Sequence, residues 1–245
     1  MGFSCGIVGL PNVGKSTIFN ALTAAGAQCA NFPFCTIEPN TGVVPVPDPR
    51  LEVLARLAKS AQVVPTQVTF LDIAGLIRGA SQGEGLGNQF LGHIRSVEAV
   101  AHIVRCFSDP NIIHVDGKVD PVRDIETVET ELILADLDSL RKQLDKFQKA
   151  AKSGEKDALA LVEDLQALEK HLSSGKLART HALSSKDENF HKVRNTLLTA
   201  KPVLYVANVD EKEATYTPSP GGNTPIDLVA RYAADQHAEM VVISG

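Results

Sequence analysis

The chain has 245 residues, a net charge of −5 and 44% hydrophobic residues. This composition is typical of a folded globular protein, and it excludes wholesale disorder and collagen-like structure. No apolar run is long enough for a membrane-spanning helix, and the first residues lack the basic and apolar segments of a secretory signal. The acidic balance argues against a globally basic nucleic-acid binder, but it leaves room for a local basic patch.

Cysteine and histidine usage indicates an intracellular protein without a disulfide scaffold. The four cysteines include no C-x-x-C pair, and the seven histidines show no H-x-x-x-H spacing. Cys29 and Cys35 would allow a redox pair or a metal site, but reduced thiols are the simpler interpretation. We therefore expect a cytoplasmic monomer with no membrane association.

The first half of the chain alternates short apolar runs with helical segments. Such runs are typical of buried parallel strands, and the proline in the second run places that strand at a sheet edge. The predicted strands are Cys5–Leu10, Thr41–Val46, Val68–Asp72 and Ala101–Phe107. A helix is predicted from Ser16 to Ala25. The leucines at positions 51, 54 and 57 predict one face of a shorter helix.

A long, charged, helical segment runs from Asp124 to about Ala200. Its apolar residues recur at alternating spacings of four and three, which is the pattern of a coiled-coil seam. The two seams comprise Ile133, Leu137, Leu140, Leu144, Phe147 and Ala151, then Leu161, Leu165, Leu168 and Leu172. A short turn separates them, so we predict an antiparallel helical hairpin. Ser185 and Glu188 form a capping-box pattern that predicts a further helix.

Strand character returns after this segment, at Lys201–Asn208 and Glu239–Ser244. Strands on both sides of a helical block predict an α/β domain that carries an insertion. The expected division is residues 1–123 for the first part of the α/β domain, 124–200 for the helical coiled-coil insertion, and 201–245 for the second part.

The segment Gly9–Ser16 matches the phosphate-binding pattern G-x-x-x-x-G-K-[ST] in full. Its glycines let the loop wrap phosphates closely, and backbone N–H groups of the loop and of the following helix point at them. The lysine of this pattern binds the β- and γ-phosphates, and its serine hydroxyl ligates Mg²⁺. The threonine that follows the serine can reach the α-phosphate. The candidate nucleotide-binding residues here are Asn12, Val13, Gly14, Lys15, Ser16 and Thr17. The fold class predicted is therefore a P-loop NTPase with a doubly wound, mostly parallel sheet and an inserted helical hairpin.

Two further segments complete the predicted phosphate and metal site. Asp72 ends a strand, where P-loop proteins hold Mg²⁺, and the N–H of Gly75 can contact the γ-phosphate. Thr36 lies between the P-loop helix and the next strand, where a threonine can complete the Mg²⁺ shell and order its loop. We thus predict Ser16, Thr36 and Asp72 as Mg²⁺ ligands, and Lys15 and Gly75 as catalytic groups.

Four strings resemble the YchF, or Obg-like ATPase, family. They are Gly-Leu-Pro-Asn-Val-Gly-Lys-Ser-Thr, Asn-Phe-Pro-Phe-Cys-Thr-Ile-Glu-Pro-Asn, Asp-Ile-Ala-Gly-Leu and Gly-Glu-Gly-Leu-Gly-Asn-Gln-Phe-Leu. The resemblance spans the whole chain and implies a helical hairpin inserted in the nucleotide domain, ATP preferred over GTP, and association with the ribosome. It also implies a C-terminal TGS domain, so we expect this chain to be a fragment of a longer protein.

The predicted base site departs from the guanine-specific pattern N-K-x-D. The chain reads Asn208-Val209-Asp210-Glu211, so Val209 replaces the lysine and Glu211 replaces the aspartate that reads guanine. Losing that carboxylate should abolish guanine preference, and the Asn208 oxygen or a backbone carbonyl could accept from the adenine amine. Ser244 fits loosely the segment that closes a base pocket. A degenerate guanine site and an ordinary polar turn are the alternatives.

Hydrolysis needs a group that orients water, and the usual glutamine is replaced here by Leu76. The resemblance makes His114 the candidate for this catalytic role, because the family carries a histidine in the loop after the third strand. The alternative is a loop histidine packed on Ile112 and Ile113. Arg78 could stabilise charge in cis, but a loop arginine is more often solvated. Without an arginine finger, hydrolysis should be slow.

A basic segment lies at the end of the predicted hairpin. Residues 141–156 carry six basic and two acidic side chains, a net charge of +4 in an acidic protein. Such a run is most often a solvated coiled-coil face. Together with the resemblance, however, it is a candidate surface for salt-dependent contact with ribosomal RNA.

These features predict a slow, Mg²⁺-dependent ATPase that acts as a molecular switch on the ribosome. A GTPase with a degenerate base motif is one alternative. A nucleotide-gated ribosome- or RNA-binding module with little hydrolysis is the other, and Leu76 is the residue that supports it.

Overall fold

The computed structural model describes residues 2–26, 40–73, 86–114, 118–152, 156–182, 185, 187–219 and 221–245. Several residues singled out above lie outside the described residues, namely Cys29, Cys35, Thr36, Gly75, Leu76 and Arg78. None of the helices among the described residues has the length and apolarity needed to cross a membrane.

Six strands form one sheet in the order β2-β3-β1-β4-β5-β6. They are β1 (Phe3–Val8), β2 (Asn40–Pro45), β3 (Gln67–Asp72), β4 (Ala99–Arg105), β5 (Val203–Asn208) and β6 (Glu239–Ile243). The edge strand β2 pairs antiparallel with β3, and every other neighbouring pair is parallel. The predicted mostly parallel sheet, with its proline-containing strand at an edge, is confirmed.

Seven α-helices surround the sheet in the described part of the chain. They are α1 (Lys15–Gly26), α2 (Pro49–Ala58), α3 (Leu86–Ser96), α4 (Pro121–Lys152), α5 (Lys156–Ser173), α6 (Glu188–Asn195) and α7 (Pro225–Asp235). The short helix predicted around residues 51–57 exists as α2, but it buries no residue, and Leu57 is 78% exposed. The capping box predicted at Ser185 is wrong, because Asp187 is the N-cap of α6 and accepts from the Asn189 N–H.

The hairpin seam is confirmed in three dimensions. Helices α4 and α5 pack through Ile133, Leu137, Leu140, Leu144, Leu161, Leu165, Leu168 and Leu172, and Phe147 and Ala151 pack at its edge. Helix α4 begins at Pro121, so the boundary predicted at residue 124 falls inside it. Its first turns do not belong to the hairpin core, since Val128 and Leu132 pack in the core of the sheet.

Buried carboxylates fasten α4 to the rest of the molecule. Glu129 accepts from the hydroxyls of Tyr205 and Tyr232, each at 2.6 Å, and from the Arg179 guanidinium at 2.8 Å. Two turns further along, Asp136 accepts from the backbone N–H groups of Leu198 and Thr199, which lead into β5. Because a buried carboxylate is stable only with such donors, these contacts hold the helix in one place on the sheet.

Candidate functional site

The loop between β1 and α1 has the backbone shape needed to surround an anion. Gly9, Asn12 and Gly14 have φ values of 150°, 61° and 95°. A Cβ at Gly9 would approach the carbonyl oxygen of Ile103 to 2.5 Å, and one at Gly14 would overlap the Asn208 side chain. The two glycines are therefore required by close packing against β4 and β5, and the loop opens directly into the N-terminus of α1.

Lys15 folds back over this loop. Its side chain is buried, and Nζ donates to the carbonyl oxygen of Leu10 at 2.7 Å. Burial lowers the pKa of Lys15 to about 8, although the nearby charge of Asp72 opposes that shift. The ammonium group thus lies inside the loop, where it can bind phosphate.

Ser16 and Asp72 meet beside Lys15. The Ser16 hydroxyl donates to Oδ2 of Asp72 at 2.8 Å. This contact joins the start of α1 to the end of β3, because β3 is paired in register with β1. A hydroxyl and a carboxylate are hard oxygen ligands, which Mg²⁺ takes together with water and phosphate oxygens. The two residues therefore fit a P-loop Mg²⁺ site, and Thr17 is exposed next to them in the first turn of α1.

Asn208 is completely buried and joins three parts of the site. Its Nδ2 donates to the Val13 carbonyl oxygen at 2.9 Å, and its Oδ1 accepts from the Gly245 N–H at 3.0 Å. The oxygen considered above as an acceptor for adenine thus takes a backbone N–H. In this structure Asn208 holds the P-loop against β5 and the chain end after β6.

The other residues predicted around the base differ in their surroundings. Val209 is buried in the core formed with α7, so its side chain packs rather than lining an open pocket. Glu211 is exposed in a short 3₁₀ turn that follows β5. Ser244 is exposed, and Gly245 beside it lies close to Ile18 in α1. The segments after β5 and β6 therefore meet at the P-loop.

His114 is buried and paired with a residue that the sequence did not single out. Its Nε2 lies 2.8 Å from Oδ2 of Asp124 in the first turn of α4. Ile112 and Ile113, on which the alternative would pack this histidine, are 37% and 77% exposed. The Ile113 carbonyl oxygen accepts from the Asn12 side chain at 3.1 Å, so the loop that carries His114 contacts the P-loop.

Arg105 is the second residue that sequence reasoning missed. It lies at the end of β4, almost fully buried, and donates to the carbonyl oxygens of Asp109 and Ile112 at 3.3 Å and 3.0 Å. Its guanidinium also stacks on the Phe107 ring at 4.5 Å. An arginine at the end of a buried strand could have indicated that Arg105 holds the loop that follows β4. Its carbonyl partners in that loop could not be predicted from the sequence.

The described site residues thus converge at the carboxyl ends of β1, β3, β4 and β5, where open α/β sheets bind ligands. Three features define a P-loop nucleoside triphosphatase site of the GTPase superfamily. They are the P-loop with its buried lysine, the contact between Ser16 and Asp72, and Asn208, which joins the P-loop to β5. Thr36 and Gly75, outside the described residues, remain predictions.

Comparison with known proteins agrees with this class. The family described as 50S ribosome-binding GTPase matches residues 4–135. The ribosome-binding ATPase YchF of Bacillus subtilis is 51% identical over 243 residues, which are 99% of this chain and 65% of that protein. Its counterpart in Escherichia coli O157:H7 is 56% identical over 211 residues, 86% of this chain and 58% of that protein. The solved structure of the Schizosaccharomyces pombe YchF GTPase matches with a TM-score of 0.77 and 35% identity, covering 99% of this chain and 65% of that one.

The chain therefore belongs to the YchF family of P-loop nucleoside triphosphatases. It spans 65% of the length of the Bacillus subtilis relative and 58% of the Escherichia coli one.

The lowered pKa of Lys15 predicts that nucleotide affinity falls in alkaline solution. Above pH about 8 the empty site holds a neutral lysine, whereas phosphates favour the ammonium form, so binding must take up a proton. The second phosphate pKa is about 6, so the nucleotide itself is already ionised. ADP affinity should fall above pH 8 by up to about tenfold per pH unit. Calorimetric titration from pH 7 to 9.5 measures this.

Lys15→Arg is the matched control, because arginine keeps its charge throughout this range. Its ADP affinity should be independent of pH, whatever its absolute value. An equally flat profile for the unaltered protein would contradict the assignment of Lys15 to the phosphates.

Proposed function

We propose that this chain binds ATP and hydrolyses it with Mg²⁺, as a slow switch that engages the ribosome in the cytoplasm. The observation that carries the proposal is the Ser16–Asp72 contact, 2.8 Å long, beside the buried ammonium of Lys15. In a P-loop enzyme this arrangement neutralises the phosphates from two sides, and the charge that develops on the transferred phosphoryl group is stabilised in place.

Each residue has a distinct part in this mechanism. The backbone from Asn12 to Gly14 cradles the phosphates, and Lys15 binds the β- and γ-phosphates. Ser16 and Asp72 would hold Mg²⁺, with Thr36 joining them; the ion, when bound, neutralises charge on the phosphate oxygens. Gly75 would contact the γ-phosphate through its N–H, and His114 would orient the attacking water.

The preference for adenine is argued from the residues at the two positions that recognise guanine in the N-K-x-D pattern. Glu211 is exposed at the position of the guanine-reading aspartate, and Val209 is buried in place of the lysine. No guanine-specific pair of contacts is therefore available from these two side chains. The bacterial relatives are named ATPases. The Schizosaccharomyces pombe relative is named a GTPase, which keeps a GTPase with a degenerate base motif as the second candidate.

Ribosome association is supported by the bacterial relatives' names and by the charge near the hairpin end. Arg141 pairs with Glu169 at 2.7 Å and Lys142 with Asp138 at 2.6 Å, so these two charges are matched on the hairpin itself. Lys146 and Lys149 are exposed further along α4. Among the described side chains of this segment, these are the two lysines that we assign to contacts with RNA phosphates.

Removing the Ser16 hydroxyl should slow ATP hydrolysis and raise the Mg²⁺ concentration that it needs. In Ser16→Ala, Mg²⁺ loses one protein ligand and Asp72 loses its hydroxyl partner. We expect phosphate release to fall about 10- to 100-fold, as in other metal sites that lose a supporting group. The measurement is phosphate release from ATP across a Mg²⁺ titration. Ser173→Ala, an exposed hydroxyl at the end of α5, serves as the control. Equal rates and equal Mg²⁺ dependence in the three proteins would refute the metal assignment.

Reversing the charge of Lys146 and Lys149 should weaken binding to ribosomal RNA and reduce its dependence on salt. Each lost phosphate contact lowers the slope of log affinity against log salt by about 0.7 to 0.9. The double variant Lys146→Glu, Lys149→Glu is compared with Lys170→Glu, Lys176→Glu, which makes the same charge change near the other end of α5. Affinity is measured by salt-dependent ribosome pelleting. Equal losses in both double variants would show that only net charge matters, not the hairpin end.

A further inference from the structure

The pair formed by His114 and Asp124 joins the proposed active site to the first turn of α4, the helix that continues into the inserted hairpin. Both side chains are nearly inaccessible, at 7% and 3% exposure, and their facing atoms are 2.8 Å apart. Asp124 belongs to the first turn of α4, where the helix dipole favours a negative charge. Asn12 holds the same loop one residue earlier, through the Ile113 carbonyl oxygen.

This geometry decides which nitrogen of the imidazole carries a proton. An ionised carboxylate only accepts hydrogen bonds, so the Nε2 that faces Asp124 must be the N–H nitrogen. In a neutral imidazole the other nitrogen, Nδ1, then carries the lone pair. An imidazole of this tautomer can accept a hydrogen bond from water at Nδ1, as the triad histidine of a serine protease accepts at the nitrogen opposite its aspartate.

We propose that Asp124 is the positioning residue for the hydrolytic step: it fixes the tautomer and the ring orientation of His114. The inference rests on the proposed function. The water oxygen bonds to the γ-phosphorus while the bond from that phosphorus to the β–γ bridging oxygen breaks, and ADP leaves with the electron pair. One water proton stays on the inorganic phosphate and the other passes to solvent. His114 orients the water through Nδ1, and Asp124 does not touch it.

The first test separates positioning from binding. Asp124→Asn keeps the shape but offers an amide, which can donate to Nε2 and favour the opposite tautomer. We expect kcat for ATP hydrolysis to fall at least tenfold while the dissociation constant for ADP stays within twofold. Asp138→Asn, an exposed aspartate on the same helix, should leave both quantities unchanged. If Asp124→Asn hydrolyses ATP at the normal rate, the proposal is wrong.

A double-variant comparison shows whether the two residues act as one unit. Residues that work together give non-additive losses, so His114→Ala with Asp124→Asn should be no slower than His114→Ala alone. A further, independent loss would mean that Asp124 has only a structural role. If His114→Ala itself retained the normal rate, or the unaltered chain released no phosphate, the failure would lie with the proposed function and not with Asp124 alone.

A measurement on the unaltered protein avoids any folding defect in the variants. The ¹⁵N chemical shifts of the His114 ring, assigned by comparison with His114→Ala, report which nitrogen is protonated. We expect the neutral ring to carry its proton on Nε2, with Nδ1 unprotonated. The opposite tautomer of the neutral ring would overturn the proposal.

Discussion

The structure depends on three of the buried carboxylates along α4, namely Asp124, Glu129 and Asp136. Removing a carboxylate from water is costly unless donors replace the lost hydration. Glu129 finds them in two tyrosine hydroxyls and an arginine, Asp136 in the backbone that leads into β5, and Asp124 in His114. These donors come from several separate segments of the chain, so together they hold the helix in place on the sheet. The inserted hairpin is therefore fixed to the nucleotide domain by polar contacts as well as by its apolar surface.

Helix α4 connects the hairpin directly to His114, the proposed catalytic histidine. Helix α4 carries Asp124 in its first turn and the exposed Lys146 and Lys149 near its other end, and it is continuous between them. At about 1.5 Å per residue, its 32 residues form a rod of about 48 Å. A partner bound at the lysines would act on the same rigid element that holds His114. The P-loop shares in this connection through Asn12, which contacts the loop of His114.

The sequence was sufficient for the local features and insufficient for most long-range pairs. The P-loop, the strands and the hairpin seam were predictable because each depends on spacing within a short segment. The roles of Asp124 and Arg105 were not, since their partners lie across loops without regular periodicity. Asn208 was predicted only as a residue of the base site, and its partners Val13 in the P-loop and Gly245 after β6 are distant in the sequence. Helix α2 was predicted from its leucines, but an apolar pattern does not reveal that this face stays exposed.

Calorimetric titration of ADP and GDP with Mg²⁺ into the chain shows whether this site prefers an adenine nucleotide. The absence of an aspartate at the position of Glu211 should remove the contact that favours guanine. We expect ADP to bind at least tenfold more tightly than GDP, a difference of about 1.4 kcal/mol. Tighter binding of GDP would contradict it and would make this chain an atypical GTPase.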